Sequence, residues 1–257
     1  MTVHRGARSG STARTGLATL LSVGTLALSS CGVAGTDWQP GLAAEVGDED
    51  VTTSQVDDYA TDFCAILDSG ALGPGVGVVA RSELRAGIAG NLVRKVAAEQ
   101  FAAEYGASPS SYYETTRNDV ADRYPDASES ERASIVDVQT ADVYVNEIAT
   151  VVGESTLTRE GTSSPSPDES LQRGLEVFAE WLRDQSVTLD PSLGIAIADD
   201  GSWEAADSST SVPASAAAVI SAAGAADASG VPNPDYAAYV ASLPSSQKCG
   251  MAAPAGG

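Results

Sequence analysis

Histidine is all but missing from these 257 residues: the only one is His4. Basic side chains are scarce too, with 14 Lys+Arg against 35 Asp+Glu and a formal net charge of −21. Phosphate neutralisation needs clustered Lys and Arg, so this balance argues against nucleic acid as a partner. Cysteine occurs at positions 31, 64 and 249 only, without the CxxC spacing of a redox or zinc site. No run approaches the roughly 20 apolar residues that a transmembrane helix needs. What the chain does have is 43 % hydrophobic residues, enough for a sizeable core in one domain plus tails or in two small domains.

The first thirty residues hold His4, Arg5, Arg8 and Arg14 and no acid, followed by the apolar stretch Gly16 to Leu28. A basic segment leading into a short apolar one is the pattern of a secretory signal, so 1–30 is read as a signal peptide. Leu28-Ser29-Ser30-Cys31-Gly32 resembles the bacterial lipobox, in which small residues precede an invariant cysteine. The resemblance implies cleavage after Ser30 and a diacylglycerol thioether on Cys31. Two or three acyl chains make such an anchor stable where one holds only marginally. The mature chain then keeps 35 acids against 11 bases, a net charge of −24, which anionic headgroups repel, so the lipid must supply membrane attachment. An ordinary signal peptide with an incidental cysteine is the alternative.

Cleavage would also remove the histidine. Ser-His-Asp and Cys-His nucleophiles, imidazole acid/base work and His-containing zinc sites would then be closed, leaving carboxylate, Lys, Tyr or metal-carboxylate chemistry. Cys64 and Cys249 are an even pair expected to form a disulfide in an oxidising compartment. The alternative is a buried helical Cys64 with a free Cys249 on an unanchored tail.

Residues 31–42 read as a Gly-rich tether. Two short β-like pieces flank Gly47-Asp48, and Thr53 or Ser54 caps a helix to about Leu67 with Val56, Tyr59, Phe63 and Ile66/Leu67 on one stripe. The strongest periodic segment is 82–105, with Ser82 as cap, Leu84, Ile88, Leu92, Val96 and Phe101 inward, and Gly106 as stop. Gly87 and Gly90 weaken it by about 1 kcal/mol each, so it needs tertiary support or close helix packing. Further helices are expected over 109–123, 129–152 and, capped by Asp168 after a loop from Gly153, on to Leu182. Val187-Thr188-Leu189-Asp190-Pro191 reads as a strand, and 193–204 extends or turns. The Ala/Ser-rich stretch 206–257 is expected to stay a disordered, low-complexity tail, with 215–223 and 235–243 as exceptions. The fold class is mainly α with a small β-sheet.

Val46-Gly47-Asp48-Glu49-Asp50-Val51-Thr52 followed by Ser54-Gln55-Val56-Asp57 resembles the opening of SurA-like periplasmic chaperones. The order continues with Leu92-Val93-Arg94 in a long helix, Glu104-Tyr105-Gly106 at its end, and the late strand Val187-Thr188-Leu189-Asp190-Pro191 with Gly194 after it. The likeness covers roughly 43–205. It implies a helical module closed by a small sheet formed by its two ends, which holds unfolded polypeptide in the envelope. Many members carry a parvulin isomerase domain before the late strand. Here the interval from Gly153 to Asp168 has room only for a short loop, so that domain is expected to be absent, and no client-binding residue carries over.

Asp48, Glu49, Asp50, Asp57 and Asp58 are read as a solvated, capping-rich face, since their spacing fails the EF-hand pattern. Asp199-Asp200-Gly201 is a turn signal, and Gly73, Gly75 and Gly77 form a flexible loop without a phosphate-binding motif. Tyr112, Tyr113 and Tyr144 either present an aromatic client surface or cover a core edge. No catalytic residue, cofactor, metal or small-molecule substrate is assigned. The expected partners are the membrane, through the lipid on Cys31, and an unfolded or a dedicated protein partner. A divergent prolyl isomerase and a structural envelope lipoprotein with one partner are the competing readings.

Overall fold

The computed structural model describes residues 39–71, 77–198, 203–206 and 233–250, with backbone alone for 203–205. All of these lie in Asp37–Gly257, one of the two units into which the chain divides. The signal peptide, Cys31, Gly73, Gly75, the Asp199-Asp200-Gly201 turn and the 215–223 segment lie outside the described residues. The fold is mainly helical with a small antiparallel sheet.

The sheet starts from the hairpin of β1 (Leu42–Val46) and β2 (Glu49–Thr52), turned at Gly47, whose φ of +58° favours glycine. A Cβ there would sit 2.6 Å from Gln100 Oε1, while Gln100 Nε2 donates to the Val46 carbonyl. β4 (Val187–Leu189) joins the other side of β1, pairing Ala44 with Leu189, Glu45 with Thr188 and Val46 with Val187. Strands some 140 residues apart in sequence therefore close the body, in the order β2-β1-β4.

Thr52 caps α1 (Thr53–Ser69), one residue earlier than expected, by accepting from the Gln55 N–H at 3.1 Å. After the two-residue β3 (Val79–Ala80) comes α2 (Arg81–Tyr105), which Gly106 ends at φ +64°; its first turn has no side-chain cap, so Ser82 does not cap it. Ser110 caps α3 (Ser111–Asp122). The expected single helix over 129–152 is two: α4 (Glu129–Gln139), closed at its start by a Ser128/Glu131 capping box, and α5 (Ala141–Arg159). The break is at buried Thr140, whose hydroxyl bonds the Val136 carbonyl at 2.6 Å and whose φ of −103° leaves the helical region.

α5 also runs past Gly153, which is no loop. A Cβ at Gly153 would lie 1.8 Å from the Ser170 carbonyl, and one at Gly174 would lie 1.7 Å from that of Ala149, so the two glycines let α5 and α6 (Pro167–Asp184) touch backbone to backbone. The cap of α6 is Ser166, in a capping box with Glu169 and with Pro167 at the first position, instead of Asp168. Phe101 lies at the centre of the core, its ring 5.1 Å from Phe178 and 5.5 Å from Trp181, whose indole N–H donates to Glu104 at 2.7 Å.

After β4, Asp190 caps a 3₁₀ turn (Pro191–Leu193) that Gly194 ends, and β5 (Ile195–Ile197) pairs antiparallel with β6 (Trp203–Ala205). The tail expectation is corrected at 233–250. α7 (Pro234–Ser242) lies where the 235–243 exception was noted, and β7 (Lys248–Cys249) pairs with β3. Its anchors are Tyr236 and Val240, both buried, the Tyr236 hydroxyl donating to Glu83, and the Gly250 N–H donating to Asp68.

Candidate functional site

Among the residues singled out from sequence, Cys64 on α1 and Cys249 on β7 are brought together as a disulfide, their Cα atoms 5.0 Å apart across 185 residues of chain. Both are buried, and Leu67, Val79 and Leu84 surround them. Asp48, Glu49, Asp50, Asp57 and Asp58 stay on the surface, Asp57 paired with Arg85; the described residues contain no grouping of acids able to hold a metal.

The three tyrosines separate. Tyr113 is 5 % exposed and meets Tyr144 edge to face at 5.1 Å, with the Arg117 guanidinium over its ring, so both cover a core edge. Only Tyr112, 61 % exposed, faces solvent. Nearby, Arg117 and the Tyr59 hydroxyl both donate to Asp137, tying α1, α3 and α4 together. Burial, and then the Asp137 carboxylate, push the Tyr59 hydroxyl up to about 12.

One concave surface lies beside the sheet. A groove of about 440 Å³ runs between the end of α6 and the strands that follow it, lined by Leu182, Val187, Leu189, Pro191, Ile195 and Ile197, with Arg183 and Gln185 adding polar atoms. Arg183 enters no ion pair among the described residues. The hydrogen-bond register decides which backbone groups face the groove. The Gly47 N–H donates to Ser186 and the Asp190 N–H to Ala43, so Ser186, Thr188 and Asp190 turn their main chain toward β1. The N–H and C=O of Val187 and Leu189 point the other way, along an edge that no described strand covers.

A second apolar hollow of about 350 Å³ lies between α1, α2 and the C-terminal arm, lined by Leu67, Leu84, Gly87, Ile88, Val138 and Tyr236. Gly87 keeps it open, since a Cβ there meets nothing within 4 Å.

Sequence reading did not single out Ile195, Ile197 or Arg183. The one available signal was the alternation Ile195-Ala196-Ile197, too short to separate a strand from a turn. No family model, curated protein or solved structure matches the chain.

Proposed function

We propose that this chain is a lipid-tethered, extracytoplasmic protein that holds non-native polypeptide without catalysing a reaction on it. The supporting observation is the apolar groove that runs along the edge of β4 that no described strand covers. Unfolded chains differ from folded ones in offering apolar side chains and unpaired backbone at the same place, and this groove meets both needs at once. The resemblance of 43–205 to SurA-like chaperones leads to the same class. The lipobox at Leu28–Cys31 supplies the tether.

The test is suppression of aggregation. Soluble protein starting after Cys31 is mixed with a client diluted from denaturant, and light scattering is followed. Scattering is expected to fall as the protein approaches equimolar with the client, with prolyl-peptide turnover at the uncatalysed rate. No suppression at several-fold molar excess overturns the reading, and accelerated prolyl turnover would replace it with an isomerase.

A further inference from the structure

The groove has a second strand edge that no described strand covers. In the β5–β6 pair, the Ala206 N–H donates to the Gly194 carbonyl at 2.9 Å and Ala196 lies opposite Glu204, so these positions carry the ladder. The main-chain groups of Ile195 and Ile197 therefore point away from β6. Four consecutive residues, Ile195, Ala196, Ile197 and Ala198, line the groove. Side chains alternate between faces, so a consecutive run is the mark of an edge and not of one face. Val187 and Leu189, whose main-chain groups point away from β1, line the same groove.

We infer that the groove is a slot for one extended strand of a bound polypeptide, which hydrogen-bonds to β4 on one side and β5 on the other. The inference rests on the proposed function and specifies how the ligand is held. With the slot filled, the order becomes β2-β1-β4-ligand-β5-β6, and two small sheets merge into one of six strands. The groove, at about 440 Å³, has room for a short length of extended chain. Backbone is the ligand chemistry that offers donors and acceptors alternately to both sides. One face of the added strand meets Leu182, Val187, Leu189 and the two isoleucines, so the segment recognised carries apolar residues at every second position.

The test uses isotope-labelled protein starting after Cys31 and a seven-residue peptide of alternating Val and Thr. Two further versions are N-methylated at odd or at even positions, each blocking one edge of the peptide. The unmodified peptide is expected to bind and to slow amide exchange at Val187, Leu189, Ile195 and Ile197. Either methylated set should weaken binding at least tenfold, each lost hydrogen bond costing roughly fivefold. Equal binding of all three peptides, or sensitivity to one set alone, overturns the bridging strand while leaving polypeptide binding intact. Protection of the four amides that rises with protein concentration and needs no peptide would assign the slot to a second copy of the chain and overturn it too. No peptide binding together with no suppression of aggregation overturns both readings.

Discussion

Glycine does opposite work at two pairs of positions. Gly153 and Gly174 are where α5 and α6 touch, and a methyl group at either would collide with a carbonyl at under 2 Å. Gly87 and Gly90 have open space where a Cβ would go. Gly87→Ala and Gly90→Ala should therefore each stabilise the fold by about 1 kcal/mol through helix propensity, raising the thermal midpoint by about 2–4 °C. Gly153→Ala should cost about 3 kcal/mol or more, because helix backbones yield less readily than side chains. Thermal unfolding of the variants checks both signs. From sequence, Gly153 resembled a helix end, while Gly87 and Gly90 called for support or close packing. Support from the buried face around Ile88 and Leu92 is what α2 has, and a lone glycine does not say which case it is. Tyr59 and Tyr236 make a second residue-scale test. Burial raises both hydroxyls to about 12, with Asp137 adding to the first and Glu83 to the second. The folded state keeps these protons while the unfolded state releases them near 10, so their contribution is complete below pH 10 and is lost as pH rises to about 12. Absorbance titration at 295 nm should show the two tyrosines ionising about two units after an ordinary tyrosine, whereas ionisation of every tyrosine near pH 10 would contradict it.

The elements that sequence disclosed were those whose pattern is local: the capped α1, the long α2 with its glycine stop, and the β-rich ends that pair as β1 and β4. What it hid depends on distant partners. Thr140 breaks a continuous apolar stripe because its hydroxyl takes a carbonyl in a buried site, and periodicity carries no mark of that bond. The C-terminal arm, apart from the 235–243 exception where its helix lies, looked too poor in large apolar residues to fold. It is held instead by two buried side chains, short strand pairing with β3 and the disulfide to α1, so ordering a few residues is offset by cross-links and not by core area. Cys249→Ser should accordingly free the arm. The chain-entropy model puts the loss at up to about 5 kcal/mol for a closure of 185 residues. Denaturant midpoints of the variant, with exchange of the Tyr236 and Val240 amides, measure it. An arm as protected as in the unmodified protein would show that packing alone suffices. The groove was the least legible feature, since it comes from the registers of β1–β4 and β5–β6 and from no single residue.

For the whole molecule, the proposed cleavage after Ser30 gives a charge of −24, no helix among the described residues is long and apolar enough to cross a membrane, and the proposed anchor is the lipid on Cys31. Cys31→Ala should move the protein from the detergent phase to the aqueous phase in Triton X-114 partitioning, and unchanged partitioning would rule out the anchor. A surface of that charge repels its own kind, which would oppose clustering of the proposed tethered binder. What the molecule is for turns on whether it distinguishes unfolded from folded chains. The direct measurement is the dissociation constant of the soluble protein for one labelled client polypeptide, taken in its native form and in a permanently unfolded, reduced and alkylated form. Binding at least tenfold tighter to the unfolded form is expected, with the alternating Val/Thr peptide as a competitor; equal affinity for the two forms, or no binding to either, would contradict it.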